Sequence, residues 1–222
     1  MILGILSLLG TIGIYYGAKK LYQHKAKIYL TPLLITPIIL IALILFTHLP
    51  FQEYNAGGKW LTYLLQPATI AFAVPLYKNF DILKKHIIEI LIGVAFGSGV
   101  AMVSSLMFSK WLHLSSAVSD SVIPRSVTTP IAMNISEYIG GVPTITAVVV
   151  IMTGILGSII GPYIIRWLRI DNEIARGVLF GTAAHGAGTS KAFELSPVTG
   201  TISSISMILA ALFTLCVAPL VF

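Results

Sequence analysis

The sequence predicts an all-α integral membrane protein: a polytopic helical bundle with broken or re-entrant helices and an inverted repeat. Three observations predict it. The 222 residues are 56% hydrophobic and only 10% charged, with a mean hydropathy of +0.92, whereas roughly a quarter of a soluble domain is charged. Apolar runs at 28–46, 87–108, 144–165 and 201–221 each approach the ~20 residues that a bilayer crossing needs. Three further apolar stretches, 66–75, 124–134 and 181–191, are interrupted by polar and turn residues. Lipid satisfies no free backbone N–H or C=O. Broken backbone at membrane depth therefore persists only where protein buries it or where it lines a cavity. Paired interrupted helices are also the best sequence pointer to a transporter's binding site.

Taken in order, residues 1–18 read as a retained first span. The start Met1-Ile2-Leu3-Gly4-Ile5 has no positive n-region of a secretory signal, and Lys19 and Lys20 follow the apolar run instead. No stretch is long enough for a soluble domain, so residues 1–222 read as a single transmembrane domain. Loops 19–27, 78–86 and 166–176 carry ten of the 14 Lys and Arg residues, while loops 48–59 and 109–123 carry only Lys59 and Lys110. The positive-inside rule puts the first three loops in the cytoplasm and the other two outside. The same placement accounts for the net charge of +6 without a nucleic-acid partner; the partner it implies is the lipid bilayer.

This topology has a consequence. Span 87–108 ends outside and span 144–165 ends inside, so segment 121–142 must begin and end on the outer side. Pro124 and Pro130 break a helix there, and Gly140-Gly141 with Pro143 make a turn. The segment therefore reads as a re-entrant hairpin. Segment 177–198 either dips in from the cytoplasmic side, with Gly186 and Gly188 at its tip, or crosses fully and leaves the C-terminus inside. Two tips entering from opposite faces would meet near the midplane. A short echo, Thr69–Val74 against Pro130–Ile135, precedes spans that run in opposite directions, the geometry of an inverted repeat. Small-xxx-small pairs at Gly13/Gly17, Gly93/Gly97, Gly157/Gly161 and Gly177/Gly181 permit close helix packing or a homo-oligomer.

Candidate site residues lie on the broken segments. A charge within a bilayer is costly and usually functional, so Arg125 pairs with a substrate carboxylate or snorkels to headgroups. Ser126, Thr128 and Thr129 precede a half-helix that starts near Pro130, and its free N–H groups and dipole would attract an anion; otherwise they merely cap it. Asn134 follows on the same segment. Glu137 reads as a solvated surface charge. Thr69, with Gln66, either faces the site or back-bonds to the Pro67 kink. His185 stands alone in an apolar stretch, where it either carries a proton or hydrogen-bonds across helices. Gly186, Gly188, Thr189, Ser190 and Lys191 form a small polar turn whose backbone donors would cradle an anion, or else a surface loop. One cysteine, Cys216, excludes an intramolecular disulfide and a CxxC site. No Ser/His/Asp arrangement, nucleotide loop, paired carboxylates, metal-ligand cluster or cofactor motif is present, so the chain does not read as an enzyme.

These segments carry a resemblance. Pro67–Asn79, Pro124–Thr129, Ile174–Gly177 and His185–Glu194 are similar to the LrgB/CidB family of bacterial membrane proteins, over essentially the whole chain. Pro124-Arg125-Ser126 and the Gly188-Thr189 stretch look more like its CidB branch. The resemblance implies a multi-pass protein of the bacterial inner (plasma) membrane. The family is classed as holin- or antiholin-like, controlling murein hydrolase activity and cell lysis with a smaller partner of the LrgA/CidA type. Relatives, including a plant chloroplast fusion of both partners, look like transporters of small carboxylates such as pyruvate, glycolate or glycerate. Two functions thus stand at this stage: a carrier of small monocarboxylates, and a holin- or antiholin-like oligomer without carrier activity.

Overall fold

A computed structural model describes residues 2–25, 30–71 and 73–221. Their regular structure is entirely helical, in keeping with an all-α membrane protein. Contacts gather the chain into two compact units, residues 1–70 and 71–222.

The first unit packs α1 (Ile2–Lys25) against α2 (Pro32–Thr47) and α3 (Phe51–Tyr63), and α4 (Leu65–Ala71) follows. Gly4 and Gly57 meet backbone to backbone, leaving no room for a Cβ on Gly57. The Thr11 and Tyr54 hydroxyls lie 3.0 Å apart at the same interface. Three sequence expectations are corrected here. Most of 48–59 is helix α3 rather than loop: its polar residues hide a helix whose burial comes from α1, not from its own apolarity. The expected loop 19–27 is likewise helical as far as Lys25. Helix α2 starts only at Pro32 and has 16 residues, fewer than the 28–46 run suggested.

The second unit holds α5 (Ala73–Lys78), α6 (Phe80–Lys85), α7 (Ile87–Trp111), α8 (Ser116–Val122), α9 (Thr129–Tyr138), α10 (Pro143–Trp167), α11 (Glu173–Leu195) and α12 (Pro197–Val221). Helices α7, α10 and α12 are long and apolar enough to cross a membrane. The described residues of the stretch 66–75 are helical, in α4 and α5. Phe72 and the side chains of Gln66 and Thr69, where the expected interruption falls, lie outside the described residues.

Segment 121–142 leaves α8 and returns to it. The Val142 N–H donates to Ser121 Oγ at 2.7 Å, across 21 residues. Pro130 is the second residue of α9 and Pro143 the first of α10, positions where proline's missing N–H costs nothing. Gly140 takes φ +96°, a left-handed conformation that glycine adopts without penalty, and it lets α9 turn into α10.

Helix α11 also folds back on itself. His185 has φ 37° and ψ −128°, so 173–184 and 186–195 are separate arms. Phe180 and Ala192 share one buried cluster with Ile165; a straight helix would hold them about 18 Å apart. At the open end the Ser196 hydroxyl donates to Glu173 Oε1 at 2.5 Å. There Asn172 caps the first arm through the N–H groups of Ile174 and Ala175.

Ile90 of α7 packs with Ile202 of α12, while Met102 packs with Ala218, so these two helices run parallel. Helix α10 opposes α11's first arm in reverse: Gly154 meets His185, Gly157 meets Ala184 and Gly161 meets Phe180. The two hairpins therefore open at opposite ends of α10. Gly93 and Gly97 of α7 abut Val178 and Thr182, while Gly177 and Gly181 abut Ile202 and Ser203 of α12. Three of the four small-xxx-small pairs are thus packing contacts inside this unit. Gly13 and Gly17 meet nothing within 4 Å among the described residues.

The folded-back α11 is testable by cross-linking. With Cys216 replaced by serine, Glu173→Cys and Ser196→Cys should form a disulfide on mild oxidation, seen as the linked peptide by mass spectrometry. A straight helix would separate them by about 35 Å, and no bond would form.

Candidate functional site

The tips of the two hairpins converge on Val150 of α10. Val127, in the first tip, shares a buried cluster with Ala132, Val150 and Ala211. His185, at the second tip, is 7% exposed and its Nε2 lies 3.0 Å from Val150 O. Val150 is seven residues into a 25-residue helix, about 10 Å of some 37 Å. The meeting level is therefore off centre, because α11's first arm is long and reaches past the middle of α10. The bend falls on His185, not on Gly186 or Gly188. A non-glycine residue at this φ costs on the order of 1–3 kcal/mol, which burial and the bond to Val150 offset. Gly188 serves packing: a Cβ there would fall 2.6 Å from Phe180 O, so only glycine lets the second arm lie on the first. Gly186 faces open space.

Arg125 lies between Ile123 and Val127 on the first hairpin. Its Nε donates to Ser105 Oγ at 2.7 Å and its Nη2 to Ser104 Oγ at 3.3 Å, both on α7. Ser105 is six residues, about 9 Å, before the end of α7. The guanidinium thus sits between that end and the tips. No carboxylate pairs with it among the described residues.

Thr128 occupies the N-cap position of α9, yet its side chain caps nothing. Its hydroxyl is buried without a hydrogen-bond partner among the described residues. Buried hydroxyls almost always find one. Ser126 is buried beside it and Thr129 half-buried, whereas Asn134 is exposed on α9's second turn. On the second hairpin, Thr189 is buried with its hydroxyl 2.9 Å from that of Ser203. Ser190 is exposed and bonds back to Gly186 O. Lys191 forms an ion pair with Glu194.

The structure therefore brings Arg125, Ser126, Thr128, His185 and Gly186 onto the two tips, with Thr189 behind them. Asn134, Ser190 and Lys191 stand away from the convergence, and Thr69's side chain is outside the described residues. Sequence reasoning missed Ser104 and Ser105, which anchor Arg125, and Ser203, which faces Thr189. Serines in an apolar span carry no signal by themselves.

Residues 11–222 match the model of the LrgB-like family. The protein YwbG of Bacillus subtilis (strain 168), described as uncharacterized, is 61% identical over 219 residues, 99% of this chain and 97% of its own length. YxaC of the same organism, also described as uncharacterized, is 38% identical over 99% of this chain and 95% of its own. The "antiholin-like protein LrgB" of Bacillus mycoides (strain KBAB4) is 36% identical over 93% of this chain and 91% of its own. No solved structure matches the chain.

The Thr128 hydroxyl can be tested without any ligand. Replacing a buried, unpartnered hydroxyl by an apolar group of the same shape is neutral or stabilising, up to about 1–3 kcal/mol. Thr128→Val should leave the thermal unfolding midpoint of the purified protein unchanged or raised. A lowered midpoint would show that the hydroxyl holds the fold together.

Proposed function

The chain belongs to the LrgB-like family, and from that premise we propose that it is a multi-pass inner-membrane carrier of small monocarboxylates of the pyruvate or glycolate kind. The antiholin-like name of one relative links the proposal to murein hydrolase control and lysis, which we read as a downstream effect of transport. One observation carries the reading: a half-buried guanidinium whose partners among the described residues are two serine hydroxyls, on one of two hairpin tips that converge from opposite ends of a long helix. An uncompensated charge in an apolar setting is strongly unfavourable, and an arriving carboxylate relieves it. The N-terminus of α9 and the free Thr128 hydroxyl add donors for the same anion.

In this reading both hairpins are re-entrant, and the basic ends of α7 and α10 face the cytoplasm. The C-terminus then lies outside, because α12 runs parallel to α7. Alternating access comes from the α11 hairpin moving against α10, with the strained His185 as its hinge and the candidate for proton coupling. Units α7–hairpin and α10–hairpin, running oppositely, form the inverted repeat. A smaller LrgA/CidA-type partner and self-association belong to the proposal, and no chemistry on the substrate does.

The test is uptake of labelled pyruvate, glycolate and lactate by proteoliposomes, with and without the partner. Saturable uptake, competed by related acids, is expected. Arg125→Gln should raise KM roughly 10- to 150-fold, the loss of charge-assisted hydrogen bonds of about 1.5–3 kcal/mol. Dye release that ignores solute structure, with no saturable uptake, would instead establish a holin-like assembly.

A further inference from the structure

We propose that Ser104 and Ser105 of α7 are positioning residues that hold one edge of the Arg125 guanidinium and leave its Nη1/Nη2 fork free to take a planar, two-oxygen anion end-on. The inference rests on the reading of Arg125 as the ligand's cation. The hydrogen-bond directions carry it. Ser105 Oγ donates to Ala101 O at 2.7 Å, and Ser104 Oγ donates to the same carbonyl at 3.0 Å. Each hydroxyl has one proton. With both protons committed to Ala101, the two oxygens turn lone pairs towards Arg125, accepting from Nε and Nη2.

A guanidinium has five N–H donors in a rigid plane. The serines take Nε–H and one Nη2–H, which form one edge. Among the described residues both Nη1–H groups and the second Nη2–H have no partner, and the adjacent Nη1/Nη2 pair matches a carboxylate bidentately. Ser105 is 1% exposed and Ser104 half-buried, so the anchoring edge is fixed by packing. The result is a cation whose plane is set before the ligand arrives. A serine pair neutralises none of the charge, unlike a carboxylate anchor, and so leaves it for the ligand. Lysine offers no plane and no fork.

The experiment is labelled pyruvate uptake by proteoliposomes carrying the full chain. Removing both hydroxyls (Ser104→Ala with Ser105→Ala) should raise KM about tenfold, with Vmax within about twofold, because binding rather than turnover loses its geometry. Ser105→Thr keeps the hydroxyl and should stay near wild type. Arg125→Lys should lose as much as Arg125→Gln. If the double variant does not insert, Ser105→Ala against Ser105→Thr makes the same comparison. Wild-type KM in the alanine variants, with Arg125→Gln impaired, overturns the positioning role and leaves the carrier reading standing. Near-wild-type Arg125→Lys overturns the fork. Wild-type KM in Arg125→Gln overturns Arg125 as the ligand's cation and this inference with it, whereas the absence of saturable uptake by the wild-type chain overturns the carrier reading itself.

Discussion

The second unit depends on how closely three helices approach the first arm of the α11 hairpin. Gly93 from α7, Gly157 and Gly161 from α10, and Gly177 and Gly181 on the arm itself leave no room for a Cβ at these contacts; Gly154 does the same against the bend at His185, and Gly97 leaves a tight fit against Thr182. Association in lipid gains little from hydrophobic transfer, so close contact supplies the attraction. The arm is thereby enclosed, and its bend at His185 is held against Val150. A bend at that depth would be untenable in lipid. Inside three helices the His185 ring finds a partner in Val150 O, and the strain at His185 is contained.

The same constraint explains the hairpin bases. A chain that enters and leaves an apolar region at one end must satisfy its backbone where it turns. Ser121 accepts from Val142 N–H in the first hairpin; in the second, Ser196 accepts from Thr199 N–H and Asn172 from the N–H groups of Ile174 and Ala175. At the tips, Arg125 is held to α7 by one edge alone and the Thr128 hydroxyl has no partner among the described residues. That surplus makes the convergence of the tips the place to look for an anion.

Much of this was legible in the sequence. Pro124, Pro130, Gly140-Gly141 and Pro143 mark the first hairpin because proline and glycine act locally, and lysine and arginine placement forces the chain to return. The alternation of long apolar runs with broken ones gave α7, α10 and α12 to within a few residues. The exact bend of α11 was not legible: Gly186 and Gly188 are the natural turn residues, yet one stays in a helical arm and the other is needed for close packing. Helix α3 was hidden because Gln52, Glu53, Asn55 and two glycines read as a loop when α1 is out of view. Nor does sequence tell which serines in an apolar helix meet a distant arginine; Ser104 and Ser105 gain meaning only from the contact.

The most direct measurement places single cysteines at Ser126 and Gly186 in a Cys216→Ser background and labels them with a membrane-impermeant thiol reagent from either face. The account predicts that Ser126→Cys reacts from the outer face and Gly186→Cys from the cytoplasmic face, and that pyruvate slows both. Reaction of both from one face, or no slowing by pyruvate at either, would contradict it.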